Sequence, residues 1–326
     1  MKTIAMIMPY FGAFPAQYRA WRQTALRNDT VDFHIFTDAD ERSEANIIVH
    51  KTSFERFADL FRGAFPFPIV LDRPYKLCEY KPAYGHVLQK YISRYDYWGF
   101  GDMDLVYGDI RAFLTDDLLA KYKMFLGYGH MSLFRNDNDT NTWFMARVDG
   151  YQYYVDAFST PKITFFDEYD HRGCADRWRD CRREDCCLEE QFDGGVFPFD
   201  NVSKPKQSYH FNSLTRGWRR VVFEHVGRKL YMVRARGGRV ERRESLYAHF
   251  QHRPFTVDTV TDYDHFLVLP SRITDYPKHF ANAALTFYCR DRRLMTLYYR
   301  LYARAEYKLR TWRERLRRQP PLSDVT

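Results

Sequence analysis

The sequence predicts an α/β protein built on a largely parallel sheet, and three observations carry that expectation. A short apolar run, Ile4 to Met8, is followed by a helix-like stretch from about Pro15 to Arg27 and by a second run, Val31 to Phe36. A strand–helix–strand opening favours parallel neighbours joined by a crossover. Each run ends in loop-forming or polar residues: Pro9 to Gly12 after the first, Thr37-Asp38 after the second. A further aromatic run, Tyr97 to Gly101, ends in Asp102-Met103-Asp104. Ligands bind outside the carboxyl ends of strands in such sheets, so these three segments are expected on one edge.

The remaining elements follow in order. Lys81-Pro82 opens a predicted helix to about Arg94, with Pro82 in the first turn where its missing N–H is harmless. Met124 to Gly127 reads as a strand, Asn138 to Tyr154 as a helix and Lys162 to Phe166 as another strand. Val221 to Glu224, Lys229 to Val233 and Arg239 to Glu241 form a predicted antiparallel meander, with Gly227 and Gly237-Gly238 at its turns; Leu246 to Phe250 closes it. Near the end, Leu294, Leu297, Tyr298, Leu301, Ala305, Leu309, Trp312 and Leu316 recur at three- and four-residue steps. That spacing predicts an amphipathic helix, which stops at Pro320-Pro321. The organisation expected is one α/β domain over 1–280, a helical segment over 281–319 and a tail over 320–326.

Composition narrows the function classes. At 326 residues the chain can bury a sizeable core. No run of eighteen apolar residues occurs, so no spanning helix is expected, and the opening apolar run is too short for a secretory signal. The six cysteines at 78, 174, 181, 186, 187 and 289 make no disulfide framework, which favours a reducing cytoplasm. The spacing of Cys174, Cys181, Cys186 and Cys187 matches no ordinary zinc ribbon or finger, so free thiols are expected there. The net charge of +8 is concentrated: Arg290 to Arg318 holds eleven Lys or Arg against three acids, leaving the rest of the chain balanced. Basicity therefore argues against nucleic acid as a partner of the main domain and for docking of the C-terminal segment on an anionic membrane surface. A solvated helix packed on its own domain is the alternative.

The most informative motif is Asp102-Met103-Asp104. In an extended backbone, alternation would point both carboxylates the same way and Met103 the other. Paired carboxylates beyond a strand can share a hard divalent cation, and such a cation can hold a diphosphate. A solvated turn is the bland alternative. A phosphohydrolase with Asp102 as nucleophile is the chemical one, although the nucleophile of haloacid-dehalogenase-type phosphatases usually lies near the start of its domain.

Taken together, Met8 to Gly12, Phe36 to Asp38, Tyr75 to Gly85, Gly99 to Asp104, Gly129-His130, Phe166 to Glu168 and His249 to Arg253 resemble, in order, a GT-A-type bacterial glycosyltransferase. More narrowly, the chain resembles the DUF6625 family. The resemblance implies a GT-A, Rossmann-like fold, a nucleotide-sugar donor, a glycan or lipid-linked acceptor in surface polysaccharide synthesis, and Mn²⁺ or Mg²⁺ at the paired aspartates. A non-catalytic nucleotide-sugar-binding protein on the same scaffold is a further alternative.

Within that resemblance, Asp104 would ligate the cation and Asp102 would reach the ribose, the metal or a metal-bound water. A late histidine would complete the site, with His249 preferred over His252. Pro9, Tyr10, Phe11 and Asp38 would hold the nucleoside, with core packing or a turn as their structural alternatives. Lys76, Lys81 and Arg253 would meet the diphosphate, since charge-assisted bonds to phosphate are strong; Lys81 could equally be a solvated first-turn residue. Asp167 or Glu168 would serve as general base in an inverting reaction, or pair with His171 or Arg172. His130 is a candidate for the same pocket. Aromatics between Tyr151 and Phe158 and between Phe192 and Phe199 are candidates for stacking on sugars, with core packing as the default.

Overall fold

The computed structural model describes residues 1–147, 150–167, 183–187, 222–236, 239–250, 256–257, 260–269, 272–277 and 285. Its first half is organised by β1 (Ile4–Pro9), β2 (Val31–Thr37), β3 (Ile47–Lys51), β4 (Tyr97–Gly101), β5 (Leu105–Tyr107), β6 (Met124–Tyr128), β7 (Met131–Arg135) and β8 (Cys186–Cys187). Seven of these form one sheet in the order β3-β2-β1-β4-β7-β6-β8. Pairing is parallel from β3 through β4, antiparallel on both sides of β7, and parallel again between β6 and β8. The expected α/β class with a mostly parallel sheet is what forms.

Both faces of this sheet are covered, and β1 shows the division residue by residue. Ile4, Met6 and Met8 join one core cluster while Ala5 and Ile7 join the other. That is the period-two signature of a strand buried on both sides. β4 divides the same way, sending Tyr97 to the first cluster and Trp98 and Phe100 to the second. Between them Gly99 has no room for a side chain: a Cβ would lie 2.4 Å from the Ser132 carbonyl oxygen on β7 and 2.9 Å from the Met6 sulfur.

Helix α1 (Tyr18–Leu26) buries Ala20, Trp21, Thr24 and Ala25, and α2 (Phe54–Arg62) buries Phe57, Ala58 and Phe61. Ser53 caps α2 by accepting from the Arg56 amide. The expected helix from Lys81 takes another form. Residues Pro74–Ala83 wind as a 3₁₀ helix with Pro82 inside it, followed by two single α turns, Tyr84–Val87 and Gln89–Ile92. The expected helix over 138–154 is likewise split, into a 3₁₀ stretch at Thr140–Met145 and an α-helix at Tyr153–Ser159. Gly150, at φ +81°, lies between them in the left-handed region, which an α-helix cannot continue through.

The expected strand over 162–166 does not form. The amides of Thr164 and Phe165 donate instead to the buried Glu79 carboxylate, at 2.8 and 2.9 Å, so they are unavailable to a neighbouring strand. Phe165 adopts φ +58°, a left-handed conformation that costs a bulky residue about 1–2 kcal/mol.

The meander forms and extends further than the sequence suggests. It comprises β9 (Val222–Val226), β10 (Lys229–Arg236) and β11 (Arg239–Ser245), joined by β13 (Thr256–Val257), β14 (His265–Leu269) and β15 (Arg272–Asp275) in the order β11-β10-β9-β14-β15-β13. Between β11 and β13, β12 (Tyr247–His249) leaves this sheet and pairs antiparallel with β5. Leu285 packs into the core beside β14. The proposed C-terminal helix lies outside the described residues. Among those described, no helix is long and apolar enough to cross a membrane.

Where β2 meets β3, a chain of polar groups runs from the partly exposed Asp32 through buried Tyr95 and His34 to the half-buried His50. The Tyr95 hydroxyl donates to Asp32 Oδ2 at 2.6 Å, so it accepts from His34 Nε2 at 3.0 Å. His34 Nδ1 then accepts from His50 Nε2 at 2.9 Å. Burial, reinforced by the nearby charges of His50 and Arg94, lowers the His34 pKa to about 4. An unfolded histidine titrates near 6.5. Below that pH the unfolded chain binds a proton that the native state refuses, so stability falls as pH drops from about 6.5 to 4. His34→Gln should remove up to about 3 kcal/mol of that pH dependence, measured by urea unfolding at pH 7, 5.5 and 4.

Candidate active site

The site begins where β4 ends. After Gly101 the chain turns through Asp102, Met103 and Asp104 before β5 starts at Leu105. The strand-like alternation expected for the two aspartates is therefore replaced by a turn. Met103 still buries into the core below, being 4% exposed, and the carboxylates remain together. Backbone contacts fix both: the Asp102 amide donates to the His130 carbonyl and the Asp104 carbonyl accepts from the Phe250 amide, each at 3.0 Å.

His249 arrives from the far end of the chain. Because His249 pairs with Leu105 in the β5–β12 ribbon, it stands beside Asp104. Its Nε2 lies 3.5 Å from Asp104 Oδ1, and one ligand atom from each of Asp102, Asp104 and His249 falls within 4.8 Å of the others. The His249 ring stacks on His130 with centroids 4.2 Å apart and planes 15° from parallel. His130 is buried and its Nε2 lies 2.9 Å from the Tyr247 hydroxyl. Burial, with the His249 and Lys81 charges adding, holds the His130 pKa well below the ordinary imidazole value. A neutral ring therefore backs the prospective ligand.

Asp102 and Asp104 open into a cleft of about 670 Å³ at the carboxyl edge of the sheet, whereas His249 and His130 are buried and do not line it. Pro9, Tyr10 and Phe11, following β1, line one part of it, as expected. Tyr10 stacks with Phe14, and Phe11 packs against Phe54 and Phe57, so both rings also serve the core. Lys81 enters from the 3₁₀ segment and is not the solvated residue of the alternative. Its Nζ lies 2.7 Å from Asp102 Oδ1, 2.7 Å from the Gly129 carbonyl and 3.5 Å from Asp167 Oδ2. Burial works against its charge, but Asp102 and Asp167 more than reverse that, raising its pKa well above the usual ammonium value.

Two expected residues stand elsewhere. Lys76 does not face the cleft: it is 0% exposed, and its ammonium donates to the Ala157 carbonyl at 2.9 Å and to the Lys162 carbonyl. Its partner is Glu79, also 0% exposed, at 3.8 Å. Burial lowers the Lys76 pKa, opposed by Glu79. Diphosphate binding is thus corrected to a structural role. Asp38 is exposed and accepts the Gly12 amide at 2.7 Å, bracing the loop after β1 without lining the cleft. Asp167 does line it, though its ion-pair partner is Lys81. Glu168, His171, Arg172, His252 and Arg253 lie outside the described residues, as do Cys174 and Cys181. Cys186 is a buried free thiol. The stacking candidates Tyr154 and Phe158 are buried in the core, and 192–199 lies outside the described residues.

Glu79 is the important residue without a sequence signal of its own, beyond being an acid between Tyr75 and Tyr80. Besides the two amides it accepts from the Thr164 hydroxyl, and so sets the path of the segment leading to Asp167.

A family model matches residues 6–277, and its description is a family of unknown function, DUF6625. The chain belongs to the DUF6625 family. No curated protein matches this DUF6625 chain. Among solved structures, mouse xyloside xylosyltransferase 1 in its apo form is similar at 10% identity and TM-score 0.38, covering 67% of this chain and 93% of that one. The apo glycosyltransferase GlyE of Streptococcus pneumoniae TIGR4 gives 10% identity and TM-score 0.32, over 66% and 50%. The galactosyltransferase LgtC in complex with donor and acceptor sugar analogues gives 15% and 0.31, over 64% and 78%. At TM-scores below 0.5, the chemistry of the DUF6625 cleft has to be argued from its own residues.

The buried Lys76–Glu79 pair makes a testable claim about that cleft's foundation. Lys76→Met leaves a buried carboxylate without its cation and should cost about 3 kcal/mol or more. Adding Glu79→Gln, which keeps the shape and removes the charge, should recover part of the loss; urea melts of the two variants measure the difference.

Proposed function

We propose that this protein is a divalent-metal-dependent glycosyltransferase, transferring a sugar from a nucleotide-sugar donor to a glycan or lipid-linked acceptor in surface polysaccharide synthesis. The observation that carries the reading is the convergence of Asp102, Asp104 and the buried His249, with both aspartates and Lys81 lining one cleft. Two carboxylates and an imidazole form a donor set suited to Mn²⁺, and the carboxylates alone also suit Mg²⁺. Such an ion would offset the charge that develops on a departing diphosphate.

The chain's own groups take complementary roles. Lys81 places a second positive charge within 2.7 Å of Asp102, where it would also attract a diphosphate. Tyr10 and Phe11 offer apolar surface to a nucleoside. Asp167, only 6% exposed and held in the cleft by Lys81, is positioned as general base for an acceptor hydroxyl in an inverting reaction; a retaining reaction needs none. A donor set closed by an imidazole supports a metal-ligand use of Asp102 over a phosphohydrolase nucleophile.

The test is a thermal-shift screen of nucleoside diphosphates and sugar nucleotides with and without Mn²⁺. At a hundredfold excess over Kd, binding should add about 2.7 kcal/mol of stability. Asp104→Ala should abolish the Mn²⁺-dependent increment and leave the ligand-free melting temperature within a few degrees of the parent. The absence of any Mn²⁺-dependent shift, or a trapped phosphorylated Asp102, would sink the reading.

The same proposal places the enzyme in the cytoplasm, held on the inner face of the membrane by the basic segment 290–318. Each basic residue near anionic lipid contributes about 1 kcal/mol. Truncation after Cys289, which spares the buried Leu285, should lower co-sedimentation with anionic liposomes while keeping the nucleotide-dependent shift.

A further inference from the structure

Most large aromatic side chains among the described residues are buried, so those left open at the cleft stand out. Tyr75 is 55% exposed and Phe165 is 48% exposed, and both line the cleft that holds Asp102 and Asp104. Neither exposure follows from a loose surface loop. Tyr75 is the second residue of the 3₁₀ segment, whose Leu77 and Tyr80 are buried, and its own ring is left on the outer side. Phe165 is followed by Phe166, which is 2% exposed and packs edge-on against Phe158 at 5.7 Å. Adjacent phenylalanines thus part company, one to the core and one to the cleft, and the left-handed φ of +58° at Phe165 accompanies that divergence.

A conformation this unfavourable for phenylalanine persists only where the surroundings impose it. Here Glu79 imposes it. The carboxylate accepts the Phe165 and Thr164 amides and the Thr164 hydroxyl. Lys76 anchors the other side by donating to the Lys162 carbonyl. Two fully buried charges therefore hold a strained turn whose visible product is an aromatic ring facing the cleft.

We propose that Tyr75 and Phe165 form an acceptor subsite that binds a pyranose ring by stacking against its C–H face. This rests on the glycosyltransferase reading above and names the acceptor's chemistry. The C–H face of a sugar is apolar while its edge carries hydroxyls, so a matching site needs aromatic surface beside a few polar groups. Asp167, two residues after Phe165 and also lining the cleft, supplies an acceptor for sugar hydroxyls. In the reading above Asp167 is the general base for the acceptor hydroxyl, which favours this wall for the acceptor over the donor. Tyr10 and Phe11, from a different part of the chain, remain for the nucleoside.

The experiment is saturation-transfer NMR on the full chain with UDP, Mn²⁺ and methyl α- and β-pyranosides of glucose, galactose, mannose and xylose. At least one pyranoside should receive saturation chiefly on the C–H protons of one ring face. The double variant Tyr75→Ala/Phe165→Ala should weaken that binding at least tenfold, and Phe165→Trp in the parent should retain it. The double variant should also keep the Mn²⁺-dependent nucleotide shift, which shows that it folds and that the donor side is intact. Undiminished transfer in the double variant, no transfer from the parent to any pyranoside, or loss of the nucleotide shift with the aromatic pair would each overturn the proposal. A parent chain that binds pyranosides through this pair but gives no nucleotide shift would instead overturn the glycosyltransferase reading alone.

Discussion

Three residues of antiparallel pairing, Tyr247 with Tyr107, Ala248 with Val106 and His249 with Leu105, join the two ends of the candidate site. The pairing continues in effect past the strand, since the Phe250 amide donates to the Asp104 carbonyl. Register in a ribbon is discrete: a slip of one residue would turn His249 to the opposite face. The ribbon also delivers Tyr247 to His130, whose backbone carbonyl holds the Asp102 amide and whose ring backs His249. Every member of the donor set is thus positioned by backbone bonds or by a stacked, buried neighbour. Outer contacts of this kind orient metal ligands before any ion arrives.

The neighbouring 3₁₀ segment shows how helix type decides the fate of charge. Side chains three residues apart eclipse in a 3₁₀ helix, so Lys76 and Glu79 face one another and are buried together. Lys81, on the same segment, reaches the cleft and meets Asp102 and Asp167. Buried ion pairs contribute little net stability compared with apolar packing of the same volume. Here the pair has a geometric consequence, because Glu79 shapes the turn that carries Phe165 and Asp167 to the cleft.

Close packing beneath the site explains why the aromatic run at β4 contains glycines. β4 lies between β1 and β7, and Gly99 leaves space that the Ser132 carbonyl and the Met6 sulfur occupy. Gly85 plays the same part on the other face, where a Cβ would meet the Trp98 ring at 2.3 Å. Large rings such as Trp98 then stack on their neighbours, as with Phe134 at 4.7 Å. The aspartates leave this layer at its edge, on a support with little freedom to deform.

The order of apolar and polar residues by itself determined the parallel opening of the sheet, the placement of Asp102 and Asp104 beyond a buried strand, and the meander over 222–245. These are local patterns of period and turn chemistry, and neighbouring residues suffice to specify them. Only the tertiary structure separated Lys76 from Lys81, since the two share a residue type and a segment and differ in what surrounds them. It seated His249, which the family resemblance had named for the site, beside Asp104 across more than a hundred residues, replaced the expected strand at 162–166 with a turn clasped by Glu79, and left Phe165 facing the cleft. Desolvation and long-range pairing set those outcomes, and both depend on partners that local sequence does not contain.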